Sequence, residues 1–233
     1  MNFKEIRKSA DLSNKAYRNQ LNMMQEKLID NKLTDAQIHV GVEGNNVYIV
    51  GRGTTNKKDV LHDLQFSRSK CKYINNELIH TGFLKQYDSV RDEIHETLKE
   101  YCNNSIKRII CCGHSLGASL CTIAALDIKL NTNYPVEILC ITFASPRVGS
   151  KSFAKCFNKQ ILKSYRFVYH RDPVTFLPLC LRFSHVKGCI HFKKSGKVVT
   201  SEKYFYPFGC LISQHNMDLY KITSEKWIES LKE

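Results

Sequence analysis

Ile109-Ile110-Cys111-Cys112-Gly113-His114-Ser115-Leu116-Gly117-Ala118 is the stretch whose reading decides the fold. A short apolar run of strand character enters a G-x-S-x-G turn, and a segment rich in small residues, with Ala118, Ala124 and Ala125, leaves it as a helix. The pentapeptide alone is a weak signal, arising by chance in on the order of one chain in ten at this length. The strand–turn–helix context sharpens it into a nucleophile elbow. A turn this tight needs flanking positions without side chains, and it lifts Ser115 to the carboxyl edge of a sheet. The backbone N–H groups of Ser115 and Leu116 are expected to point at the helix N-terminus, where an oxyanion is stabilised. The competing reading is a Gly-rich strand-to-helix turn with an idle serine.

Outward from this turn, periodicity predicts strands and helices in alternation. Helices are expected over residues 3–29, 84–102, 116–130, 150–158 and 214–231. Strands are expected over 37–42, 46–51, 106–112, 136–143 and 165–169, with weaker ones at 188–192 and 197–200. Such alternation implies a mostly parallel central sheet flanked by helices on both faces. No repeat, low-complexity tract or Pro/Gly-rich linker divides the chain, so residues 1–233 are read as a single domain.

Composition narrows the class. No apolar run reaches the roughly 20 residues that span a bilayer. The N-terminal residues alternate charged and apolar side chains without a secretory h-region, which with the free-thiol reading below gives an expectation of an intracellular protein. The ten cysteines include no C-x-x-C pair, which argues against a zinc site, and several lie in apolar runs. They read as buried free thiols in a reducing compartment. The net charge of +13 is uneven: residues 151–233 hold 15 Lys and Arg against 6 Asp and Glu. Such a surface attracts anionic lipid or nucleic acid, or reflects a Lys-rich background.

A serine hydroxyl needs a base, and the base needs an orienting acid. Three acids follow Ser115 before the last predicted strands. Asp127 and Glu137 read as surface residues. Asp172, just past a strand in Tyr169-His170-Arg171-Asp172-Pro173, is better placed, although an Asp before Pro is also a common turn signal. Among the downstream histidines, His191 alternates within a strand and His185 reads as a packed histidine. His215, in a polar loop opening the last helix, is the favoured base.

Four blocks together resemble the class 3 lipases, the fungal-lipase-like family of α/β-hydrolases. They are Gly51-Arg52-Gly53-Thr54 followed by Asp63-Leu64; His80-Thr81-Gly82-Phe83-Leu84; Gly113 to Ala118; and Thr142 to Gly149 leading to Arg171-Asp172-Pro173-Val174 and Leu177-Pro178. They fall in family order within residues 10–220. The resemblance implies an α/β-hydrolase fold, Ser115 as nucleophile, Asp172 as triad acid and His215 as triad histidine. It implies that Thr54 completes an oxyanion hole with the Leu116 N–H. It sets His185 aside, in a non-catalytic F-x-H-V block. Where the resembling lipases carry a lid, this chain has the short charged segment Thr55–His62, a departure that speaks against activation at an oil surface.

The implied function is hydrolysis of carboxylic esters of lipids, as a triacylglycerol lipase or phospholipase, through a Ser-His-Asp triad and an acyl-enzyme. The implied partner is a lipid ester substrate, and the uneven positive charge adds the expectation of an anionic membrane surface to which the protein attaches peripherally. No metal, cofactor or nucleic acid is expected. Two rivals stand beside this reading: a soluble esterase acting on non-lipid esters, and an inactive scaffold that binds membranes through its basic surface.

Overall fold

Residues 3–54, 67–200 and 212–231 are described by the structure, a computed structural model. At its centre lies β6 (Arg108–His114), whose consecutive apolar residues are buried on both faces. Ile109 and Cys111 enter one apolar cluster, Ile110 and Cys112 the other. A strand covered on both sides needs apolar side chains at successive positions, which explains the unbroken run. The neighbouring β3 (Asn46–Gly51) divides in the same way, Val47 and Ile49 to one face, Tyr48 and Val50 to the other.

The main sheet has eight strands in the order β1-β2-β3-β6-β7-β8-β9-β10. β7 (Glu137–Phe143), β8 (Lys163–Tyr169) and β9 (Cys189–Phe192) continue the parallel run from β3 and β6. β1 (Gln25–Asn31) and β2 (Ala36–Glu43) add antiparallel strands at one edge, and β10 (Val198–Val199) at the other. One face is covered by α2 (Thr81–Tyr101), α3 (Leu116–Asn131) and α4 (Lys151–Gln160), the other by α1 (Phe3–Lys15) and α5 (Met217–Ser230). This is the α/β-hydrolase arrangement, a mostly parallel sheet between helical layers. α2 buries the expected stripe of Leu84, Tyr87, Val90, Ile94 and Leu98. α3 is apolar nearly all round, as a helix packed between the sheet and other helices must be.

The expected helix over residues 3–29 is corrected. α1 ends at Lys15, a short 3₁₀ turn covers Ala16–Arg18, and Gln25–Asn31 pair as a strand with β2. Asn19 and Asn22 take positive φ, 51° and 56°, which a helix cannot accommodate. The apolar spacing continued through this break by coincidence. Leu28, which extends the helical stripe in the sequence, is 39% exposed on the edge strand.

A small hairpin of β4 (Arg68–Cys71) and β5 (Glu77–His80) was not expected either. Its strands are short and mixed in polarity, so no period-2 pattern announces them. α2 begins at Thr81 rather than residue 84, and the last helix at Met217, after a 3₁₀ turn at Ile212–Gln214.

Candidate active site

The elbow is built where β6 passes into α3. Ser115 has φ 59° and ψ −126°, a region that L side chains occupy only under strain of about 1–3 kcal/mol. Glycines let the turn seat against the end of β3. A Cβ on Gly117 would stand 2.1 Å from the Gly51 carbonyl oxygen, and one on Gly113 2.7 Å from the Gly117 carbonyl carbon. One on Gly53 would meet the His114 oxygen at 2.8 Å. The same close approach brings Arg52, Gly53 and Thr54 alongside the turn.

The three sequence candidates meet there. His215 Nε2 lies 2.7 Å from Ser115 Oγ, and His215 Nδ1 lies 2.9 Å from Asp172 Oδ2 and 3.1 Å from Oδ1. All three side chains are buried. A carboxylate only accepts, so Nδ1 carries the proton toward Asp172 and the Nε2 lone pair faces the serine hydroxyl. Asp172 is oriented by donors from two elements. The Val174 N–H donates to Oδ1 at 2.9 Å and the Tyr220 hydroxyl to Oδ2 at 2.8 Å. Tyr220 is tied down in turn, since its oxygen accepts from the Tyr169 N–H at 3.0 Å.

His215 also stacks on His114, with ring centroids 4.6 Å apart and planes 29° from parallel. His114 Nδ1 lies 2.7 Å from the Tyr17 hydroxyl. Burial holds the Tyr17 phenol above its ordinary range, with the Asp172 charge adding to it and Arg52 opposing, so the phenol stays neutral. Tyr17, Thr54, His114 and His215 line a pocket of about 240 Å³ beside the triad.

The oxyanion expectation is corrected in part. The Ser115 N–H donates to the Phe143 carbonyl at 3.0 Å, so it is committed to the neighbouring strand rather than to a bound oxyanion. The Leu116 N–H is the first of α3, where no intrahelical carbonyl reaches it. Thr54 lies half-buried at the same pocket. The charged segment Thr55–His62, together with Asp63-Leu64, lies outside the described residues.

The surface reading of Asp127 is corrected too. It is fully buried between α2 and α3 and accepts from Tyr87, Arg91, His95 and Asn131. The overlying helix α2, which sequence alone does not dock, covers it. Glu137 is part-exposed and bridges Arg108 and Lys163, as a surface acid does. His191 sits in β9, and His185 Nε2 lies 2.7 Å from the Thr175 carbonyl, away from the triad. Sequence reasoning missed the roles of Tyr220, Tyr17 and His114. Tyr220 read as one more apolar position of the last helix, and nothing in its spacing marked the hydroxyl. Among the described residues, no group of three or more His, Cys, Asp and Glu could hold a metal, and all nine described cysteines are free. No described helix is long and apolar enough to cross a membrane.

Comparison with known proteins points to one family. A secreted mono- and diacylglycerol lipase of Penicillium cyclopium is 33% identical over 153 residues, 64% of this chain and 49% of that protein. A chloroplastic phospholipase A(1) of Arabidopsis thaliana is 37% identical over 109 residues, 43% of this chain and 24% of that one. The chain thus spans about half the length of the Penicillium relative, or less of the plant one. The triacylglyceride lipase of Rhizomucor miehei superposes with a TM-score of 0.78 at 24% identity, over 91% of this chain and 92% of that one. Lipase II of Rhizopus niveus gives 0.77 at 24% identity over the same shares. At that identity the two structures speak for the fold. The family model for class 3 lipases matches residues 48–182, more than half of the chain and the part that carries Thr54, Ser115 and Asp172. The histidine lies beyond this span but within hydrogen-bonding distance of its serine, and the chain belongs to the class 3 lipase family.

Proposed function

We propose that the protein hydrolyses carboxylic esters of lipids, with Ser115 as nucleophile, His215 as general base and acid, and Asp172 as the orienting acid. The observation that carries this reading is the Ser115 Oγ–His215 Nε2–Asp172 alignment at 2.7 and 2.9 Å. His215 Nε2 takes the hydroxyl proton as Ser115 Oγ bonds to the acyl carbon. The Leu116 N–H and Thr54 receive the charge that develops on the carbonyl oxygen, each such donor worth about 3 kcal/mol of barrier. The tetrahedral intermediate collapses as His215 returns the proton to the departing alcohol oxygen. Water then attacks the acyl-enzyme with the same histidine as base, releasing the carboxylic acid and restoring the hydroxyl.

The family supports a lipid ester as the substrate, as do relatives named for mono- and diacylglycerols and for phospholipid. The excess of cations after residue 150 favours delivery from an anionic membrane surface. Both apolar clusters pack on one sheet, which supports reading residues 1–233 as one domain. Free thiols favour a reducing, intracellular compartment, although the Penicillium relative is by name secreted.

The test is Ser115→Ala. Turnover of a short-chain nitrophenyl ester is expected to fall by at least about 10⁴-fold, and labelling by a fluorophosphonate to disappear, with the fold intact. A variant that keeps a few per cent of turnover refutes the nucleophile. An ester panel of rising chain length separates lipid from non-lipid substrates, and a rate that falls with chain length favours the soluble-esterase reading.

A further inference from the structure

We propose that the carboxyl edge of β8 to β10 is a docking surface for an anionic phospholipid bilayer, with Lys193, Lys194 and Lys197 facing the lipid phosphates. The proposal rests on the hydrolase reading and adds the surface from which that site takes its substrate.

Topology puts the cations on the sheet edge that carries Ser115. β6, β8 and β9 are linked by parallel pairing, so their carboxyl ends share one edge of the sheet. Ser115 follows β6, Arg171 and Asp172 follow β8, and the turn of Lys193 to Lys197 follows β9. The ends of β8 and β9 are tied together. The His170 N–H donates to the Phe192 carbonyl at 2.7 Å, and His191 Nε2 lies 2.8 Å from the His170 carbonyl. The Lys193 N–H donates to the Lys197 carbonyl at 2.9 Å, closing a tight turn with Gly196 at φ 83°. Its three lysines and Arg171 are exposed. Charge from Arg171, Lys194 and Lys193 adds to burial in holding the His170 imidazole below its ordinary range, so these cations converge on one place.

Acids are sparse along this stretch of the sequence. Residues 161–200 contain eight Lys and Arg and a single acid, Asp172, which is buried and directed at His215. The carboxylates Glu5 and Glu137 gather instead around Arg108 at the start of β6, the opposite edge. The loop that carries Asp172 continues through Leu179 and Leu181, 56% and 105% exposed. It is pinned by Arg147 to the Pro178 carbonyl, beside the end of β7. Cations for phosphate, together with exposed leucines in the loop that follows Asp172, suit a bilayer surface better than a nucleic acid, which would favour stacking aromatics.

The test is co-sedimentation of the Ser115→Ala chain with vesicles of phosphatidylcholine, alone or with one third phosphatidylglycerol, over a salt series. Soluble-ester hydrolysis is measured in parallel on chains that keep Ser115. Partition to the anionic vesicles is expected to be at least about 100-fold stronger at low salt and to fade as salt rises. Adding K193Q and K194Q should lower it about 30-fold and leave both neutral-vesicle partition and soluble-ester turnover unchanged. Equal partition to both vesicles overturns the proposal, as does an unchanged double variant. So does a double variant that loses binding to duplex DNA while keeping its binding to vesicles. Failure of the unmodified chain on the soluble ester is a separate result, and overturns the hydrolase reading underneath.

Discussion

Tyr220 links the last helix to the triad acid through one oxygen, which donates to Asp172 Oδ2 and accepts from the Tyr169 N–H. Its ring packs against His114, Phe143 and Tyr169. Tyr220→Phe keeps that packing and removes both hydrogen bonds. A hydrogen bond to a charged group is worth about 1.5–3 kcal/mol, and its loss frees Asp172 to rotate away from His215. We expect kcat on a soluble ester to fall about 10-fold with KM nearly unchanged, since the residue touches no substrate. The orphaned Tyr169 N–H should lower the melting temperature modestly. A drop in stability with kcat intact would reduce Tyr220 to a core residue. At this scale the sequence made the candidate triad legible because an elbow serine, a post-strand Asp and a loop His are chemically distinctive types. It could not show Tyr220, whose hydroxyl matters only through a contact across 48 residues.

At the scale of elements, α2 and α3 are clasped by Asp127. The carboxylate accepts from Tyr87, from Arg91 Nε and Nη2, from His95 and from Asn131. Burial alone would raise its pKa, but the bonds from His95, Arg91 and Tyr87 outweigh it and hold the group below its ordinary value. Asp127→Ala leaves the part-buried Arg91 without its carboxylate. Removing one partner of a buried pair costs about 3–5 kcal/mol, and the low end applies because Arg91 also stacks on the Tyr73 ring at 4.2 Å. We expect the urea midpoint to fall accordingly, while soluble-ester turnover below the transition stays near that of the parent. An unchanged midpoint would mean that water replaces the carboxylate at no cost. Elements with full apolar stripes, such as α2 and β6, were readable because burial demands a period. The break after Lys15 and the β4–β5 hairpin were not, because left-handed asparagines and cross-strand pairing decide them, and neither leaves a periodic trace.

Across the whole molecule, buried histidines make stability depend on pH. His39 is 1% exposed on β2 and lies 2.8 Å from Glu26. Burial depresses its pKa, and although Glu26 pulls the other way the net shift is downward. His191, 5% exposed in β9, is depressed chiefly by burial, with Lys193 adding to it and the His170 carbonyl opposing. A depressed imidazole binds its proton more weakly in the folded chain than in the unfolded one, whose pKa is near 6.5. The stabilisation is therefore complete above pH 6.5 and is lost as pH falls toward the folded pKa. Asp127 follows the same sign lower down, losing its contribution as pH falls below the ordinary aspartate value of about 3.8. The melting temperature is expected to drop by several degrees between pH 7 and pH 5, before any carboxylate titrates appreciably, and to drop again below about pH 4. His39→Gln and His191→Asn should each flatten the first decline whatever they do to stability at neutral pH, because the slope counts protons and not contacts. Differential scanning calorimetry across this range decides the matter. A melting temperature that holds level from pH 7 to pH 5, or slopes identical in parent and variants, would show that these imidazoles are protonated alike in the folded and unfolded chains.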